Sequence, residues 1–233
     1  MNNPANSTVE VLHRPAFAMA RVVLRPGESL QAESGAMVGM AGGIQLETHM
    51  QGGLLKSLAR SVLGGESFFI NTYHGVNQGG EVWLAPTMPG DIFTLSLANQ
   101  SYLVQSGSYL GAMDGINVDT KWGGARTFFG GEGLIMLRCY GSGNLILSSY
   151  GAIQPLDLQP GQVFTVDTGH MVAFEEGVNY RVRTIGGLKT TLLGGEGLVV
   201  DLTGPGRVLL QTRSESAFLG WLIPKLPHQS SGS

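Results

Sequence analysis

A Gly-Gly-Glu triplet occurs three times in this 233-residue chain, at Gly64-Gly65-Glu66, Gly130-Gly131-Glu132 and Gly194-Gly195-Glu196, with spacings of 66 and 64 residues. Self-similarity at a fixed period is the signature of a chain built from copies of one structural unit. Other markers run in parallel. A Gly-Gly pair precedes each triplet, at Gly52-Gly53, Gly123-Gly124 and Gly186-Gly187, and Pro-Gly pairs stand at Pro26-Gly27, Pro89-Gly90 and Pro160-Gly161. Ser34-Gly35 and Thr168-Gly169 follow the first and third prolines at one offset, whereas Ser106-Gly107 lies further from Pro89, as an insertion in the middle copy would place it. The sequence therefore reads as one domain over residues 9–223 made of three units, about 9–84, 85–147 and 148–223, followed by a disordered tail over 224–233.

The units read as β. After each triplet comes an apolar run, a glycine-containing stretch and a second apolar run: Phe68 to Thr72 and Val82 to Leu84 around Gly75 to Gly80; Leu134 to Leu137 and Leu145 to Leu147 around Gly141-Ser142-Gly143; Leu198 to Val200 and Val208 to Leu210 around Gly204-Pro205-Gly206. This pattern predicts three hairpins. Alternation at Val178, Tyr180, Val182 and Thr184 predicts a half-buried strand, and each Pro-Gly pair suits the centre of a type II turn. Helix is scarce: one short helix is expected through Leu54, Leu55, Leu58 and Val62 with Gly64 as its C-cap, and a second from Glu215 to Leu222.

Composition narrows the classes. The chain has 36 glycines and only 13% charged residues, but 42% hydrophobic ones, too many for a disordered chain. Glycine without a three-residue period excludes collagen, and a net charge near −3 without a Lys/Arg cluster argues against nucleic acid as a partner. The longest uncharged run, Ile92 to Met113, is interrupted by polar residues and does not read as a membrane span; the N-terminus lacks the pattern of a signal or transit peptide. A cytoplasmic location is the expectation. The lone cysteine, Cys139, shares a strand face with Ile135 and Leu137 and reads as a buried structural thiol.

The search for chemistry returns little. No nucleophile elbow, phosphate loop, dinucleotide fingerprint or pair of metal-spaced histidines is present, so no catalytic residue, metal or cofactor is expected. The triplets, with Gly65, Glu66, Gly131, Glu132, Gly195 and Glu196, read as structural turns; Arg60, Arg126 and Lys189 precede the three glutamates at similar distances and suit charge-assisted bonds to them. The candidate binding pocket is polar: Asp119, Lys121 and Trp122 in the middle unit, Asp167 and His170 in the last, with a hydrogen-bonded histidine beside a turn as the plainer reading. Trp83, Trp122 and Trp221 serve either as ligand platforms or as packing.

The stretches SGAMVGM, LGGESFFINTY, LAPTMPGDIFTL, VDTKWGGARTFFGGEGLIML, VDTGHMVAF and GGLKTTLLGGEGLVVDLTGPGRVLLQTRS, in this order, resemble the AIM24 (altered inheritance of mitochondria) family over residues 20–222, and the chain is most similar to its bacterial members. The resemblance implies an all-β fold: a three-fold internally repeated β-sandwich, or double-stranded β-helix, resembling the tryptophan RNA-binding attenuator protein. It implies no catalytic residues. Eukaryotic members are linked to mitochondrial inner-membrane organisation. The expectation for function is a non-enzymatic β-repeat protein acting as a binding or scaffold module. It would be homo-oligomeric, with a trimer among the candidates, and have a protein or small-molecule partner. The alternative is a small-molecule-binding protein or hydrolase using the pocket around His170 and Asp119. The apolar segment Phe218 to Ile223 fits a buried end or subunit contact better than a peripheral membrane contact.

Overall fold

The structure, a computed structural model, describes residues 9–47, 70–119, 135–185 and 198–227. The triplets, Arg60, Arg126, Lys189, Lys121, Trp122 and the expected helix through Leu54 to Val62 lie outside these residues, as does the end of the tail from residue 228. The fold is all-β and antiparallel throughout its ladders, with one α-helix among the described residues.

The first strands are β1 (Val9–Leu12), β2 (Met19–Leu24), β3 (Ser29–Glu33), β4 (Met37–Glu47) and β5 (Ile70–Leu84). β5 is the spine of this group: β2 pairs its second half, β3 its first half, and β4 runs along the other edge of both, with bulges after Met37 and Gly42. Next come β6 (Ile92–Gln105), β7 (Tyr109–Met113), β8 (Ile116–Asp119) and β9 (Met136–Ser148). Here β9 is the spine: the two halves of β6 pair along it, and β7 and β8 pair on its other edge, with a bulge after Tyr109. The last strands are β10 (Ile153–Leu158), β11 (Val163–Asp167), β12 (Met171–Glu175), β13 (Asn179–Thr184), β14 (Leu198–Thr203) and β15 (Gly206–Gln211). β10 and β12 pair β15, with a bulge after Met171, while β11 and β13 pair β14. Two ladders join the groups, β3 with β7 and β6 with β12. Twelve strands thus form one sheet, and β11, β14 and β13 form a second of three strands.

Period-two alternation drives this arrangement. In β2 the inward residues Ala20, Val22 and Leu24 are buried, and in β3 Leu30 and Ala32 are. Three buried clusters result, centred on Tyr73 and Leu84, on Tyr109 and Leu137, and on Phe174 and Leu202.

Two sequence expectations are corrected. The hairpins after the triplets do not form: residues 70–84 and 136–148 are single long strands, and β14 and β15 sit in different sheets. The intervening glycines mark places where another backbone passes too close for a side chain. A Cβ at Gly75 would lie 2.1 Å from the Arg25 carbonyl oxygen, at Gly141 2.1 Å from that of Gly115, and at Gly204 2.4 Å from that of Gln159. Nor are the three Pro-Gly pairs one recurring turn. Gly27 and Gly161 adopt left-handed φ of +86° and +77° between consecutive strands, as a type II turn requires. Gly90 instead sits before β6 in a parallel bridge to Gly151, and the two halves of β6 are joined at Asn99 (φ +58°), at a bulge.

The helix expected over Glu215–Leu222 forms as α1 (Glu215–Leu222), capped by Ser214, whose hydroxyl accepts from the Ala217 N–H. None of its residues is buried, so of the buried end and the subunit contact expected for this segment the first does not form. Pro224 and Lys225 continue it as a 3₁₀ turn.

Candidate functional site

Asp167 and His170 are brought together by the 3₁₀ turn Thr168–His170, which carries the chain from β11 into β12. The Asp167 carboxylate accepts from the Gly169 N–H (2.8 Å), and His170 Nδ1 donates to the Gln211 carbonyl (2.8 Å). The Gln211 side chain binds the turn from the other side, donating to the Gly169 carbonyl and accepting from the Tyr150 N–H, 2.9 Å each. Both residues thus hold a turn against β15 and the start of α1.

Asp119 stands elsewhere. It ends β8 opposite Arg138, whose pKa is raised chiefly by the hydrogen bond to Glu176 and least by the charge of Asp119. Arg138 donates to Glu176 (2.9 Å) and lies 4.5 Å over the Tyr140 ring. Glu176 follows β12 and His170 precedes it, so a five-residue strand, about 17 Å long at 3.3–3.4 Å per residue, separates the two groups.

A cleft of about 450 Å³ lies between β6 and the β10, β12 and β15 strands, with Phe93, Leu97, Tyr102, Asp157, Glu175 and Arg207 in its lining. The Tyr102 hydroxyl donates to one Glu175 oxygen and the Arg207 N–H to the other, 3.0 Å each. The Arg207 guanidinium grips Asp157 through two bonds of 2.7 and 3.0 Å and keeps its carboxyl below the usual range. Burial first, then the Glu175 charge, raises the Tyr102 pKa, so the phenol stays a donor. Such a lining, mainly polar, can hydrogen-bond a small polar molecule. Sequence reasoning missed all four polar residues because the partners are 50 and 73 positions apart, which leaves no local motif.

Cys139 is buried as expected, and burial pushes its thiol up to about 12. Among the described residues, no group of three or more His, Cys, Asp or Glu is placed to hold a metal ion, and no helix is long and apolar enough to cross a membrane.

The other notable surface is apolar. Among the described residues β11 pairs only with β14, and the first half of β4 pairs only with β5. Val163 is 58% exposed and Phe164 38%; on β4, Met37 is 40% exposed, Val38 59% and Met40 46%.

Comparison with known proteins places the chain. An uncharacterised protein of Streptococcus pyogenes serotype M6 is 29% identical over 225 residues, which cover 92% of this chain and 89% of the relative. A crystal structure of another Streptococcus pyogenes protein, determined by a structural genomics consortium, superposes with a TM-score of 0.78 at 27% identity, covering 94% of this chain and 99% of that one. The family described as Mitochondrial biogenesis AIM24 matches residues 9–213, and the chain belongs to that family.

Proposed function

We propose that the protein is a non-catalytic, self-associating module of three β units that serves as a binding or scaffold element. The three strand groups are read as copies of one unit, arranged as in the tryptophan RNA-binding attenuator protein. Each has a spine strand, or pair of strands, flanked by the same four segments. The bulge after Met37, Tyr109 and Met171 falls at one place: these residues oppose Leu84, Leu147 and Leu210, the last or next-to-last residues of β5, β9 and β15. A net charge near −3 disfavours nucleic acid as the partner, and one buried reduced cysteine suits a cytoplasmic setting.

One observation carries the reading: the apolar edges of β11 and β4. An edge strand presents unpaired N–H and C=O groups, and an uncharged, apolar edge is a template for pairing with another chain. Light scattering at micromolar concentration is expected to give a stable mass that is a multiple of the 24.6 kDa chain. A strict monomer refutes the proposal.

A second reading, a small-molecule-binding protein or hydrolase, is supported by the cleft at Tyr102, Glu175, Asp157 and Arg207 more than by the turn at Asp167 and His170 or by Asp119. A metabolite screen by thermal shift tests it. A ligand whose shift disappears in Arg207→Gln supports the cleft, and a shift kept there but lost in His170→Gln moves the site to the turn.

A further inference from the structure

Resting on the self-association reading, we infer a specific junction: a second copy of the chain lies head to tail with the first. The start of its β4 runs antiparallel to β11, with Phe164 opposite Ala41, Thr165 opposite Met40 and Val166 opposite Gly39. Both the partner and the register follow from junctions that the chain already makes with itself.

The register is fixed by the spine strands. Leu30, Tyr102 and Phe164 are equivalent, because they oppose Tyr73, Cys139 and Leu202, each two residues before Gly75, Gly141 and Gly204. On the other edge Gly39, Gly111 and Ala173 follow the shared bulge, and Met40, Ala112 and Phe174 come next, opposite Val82, Leu145 and Val208. The first internal junction, β3 with β7, sets Leu30 against Met113, Gln31 against Ala112 and Ala32 against Gly111. The second, β6 with β12, sets Tyr102 against Glu175, Leu103 against Phe174 and Val104 against Ala173. The same rule applied once more gives the three pairs of the new junction. Its halves stand at opposite ends of one chain, β11 in the last unit and β4 in the first, so a second copy supplies the complement.

Burial at equivalent positions says what is missing. Leu110 and Val172 are wholly buried, whereas their equivalent Val38 is 59% exposed. Ala112 and Phe174 are at most 1% exposed, against 46% for Met40. Leu30 and Tyr102 are at most 3% exposed, against 38% for Phe164. The residues at the open junction keep the apolar character of their buried counterparts. A head-to-tail contact of this kind is heterologous, so it repeats from copy to copy.

Cross-linking tests the register. Phe164→Cys combined with Ala41→Cys, and separately Thr165→Cys with Met40→Cys, covers both kinds of antiparallel pair, of which the closer, non-hydrogen-bonded kind suits a disulfide. Cys139 is buried and its thiol pushed up to about 12, so it does not compete. Under mild oxidation one double variant is expected to give covalent multimers on a non-reducing gel, while each single variant stays at one chain mass. A covalent dimer from Phe164→Cys alone overturns the junction, because it would mean that β11 pairs with itself. An oligomer in which neither double variant cross-links also overturns it, but leaves self-association standing. A wild-type monomer ends both. Circular dichroism on each variant confirms that the fold is retained, and Val38→Lys, which leaves the paired residues in place, is expected to shift the mass toward a single chain.

Discussion

Arg14→Ala is expected to destabilise the protein by about 2 kcal/mol, and the figure follows from one buried carboxylate. The Asp91 side chain is only 4% exposed. Arg14 donates to it twice, from Nε and from Nη2, at 2.8 Å each, and the Ile92 N–H donates at 2.8 Å. Asp91 also sits where three segments cross: the Ala18 N–H bonds the Gly90 carbonyl, the Asp91 N–H bonds that of Gly151, and the Ser149 N–H bonds that of Asp91. Removing one partner of a fully buried ion pair costs about 3–5 kcal/mol. Because the Arg14 side chain is itself 51% exposed, water fills part of the space it leaves, which brings the loss to about 2 kcal/mol. For a chain of this length that is a fall in Tm of about 4–8 °C, read by calorimetry at fixed protein concentration, since self-association makes Tm concentration-dependent. Arg14→Lys should recover only part of the loss, because an ammonium cannot make the two-pronged contact. A Tm within 1 °C of wild type for Arg14→Ala would show that Asp91 is held by its backbone donor alone.

Two further outcomes test the packing and the electrostatics. Gly90→Ala puts a Cβ 1.7 Å from the Ser149 carbonyl oxygen and 2.8 Å from that of Gly151, both backbone atoms, so a loss well above 3 kcal/mol or insoluble protein is expected; Gly27→Ala, at φ +86° with nothing within 4 Å, should cost only about 1–2 kcal/mol, and equal effects in urea titrations would contradict the close-approach argument. Asp201 is held down to about 2 by bonds from Arg183 and Thr165, so its contribution to stability is present above the unfolded value of about 3.9 and fades as pH falls toward 2. The midpoint should rise in Arg183→Gln when followed by carboxyl NMR, and an unmoved midpoint would rule out the ion pair as its cause.

What the sequence disclosed and what it hid have physical reasons. Glu215–Leu222 was legible as a helix because a run of helix-compatible residues is a local signal, and the burial of Cys139 was legible from strand alternation. The hairpins were misread because a glycine reports the absence of room for a Cβ, and chain reversal is only one cause of that; at Gly75 and Gly141 the cause is a neighbouring backbone beside a continuing strand. Pro89-Gly90 matched a motif by spelling alone, since its glycine takes no left-handed φ. The polar lining of the cleft was hidden because Tyr102 with Glu175, and Asp157 with Arg207, meet only after the strand groups pack. Asp167 and His170 meet because they share one turn, whereas Asp119 belongs to a ladder beyond β12.

The chain treats its edges unequally, and that inequality separates a solvent-facing edge from an assembling one. Sheets guard edges that face water with charge or proline. The twelve-stranded sheet ends on β1, which carries Glu10, and on β10, which carries Pro155 and Asp157; in the small sheet β13 carries Arg181 and Arg183. β11 reads Val163-Phe164-Thr165-Val166 before its single acid, Asp167, and the first half of β4 has no charge from Met37 to Gly43. A chain with only 13% charged residues still places them on β1, β10 and β13 and withholds them from Val163–Val166 and from Met37–Gly43. On the three-unit reading the two bare edges are the complementary halves of one junction. If both faced water in the working protein, Val38→Lys and Phe164→Lys would be neutral or stabilising as well as leaving the mass unchanged; loss of the oligomer together with a lower Tm is the outcome the bare edges call for.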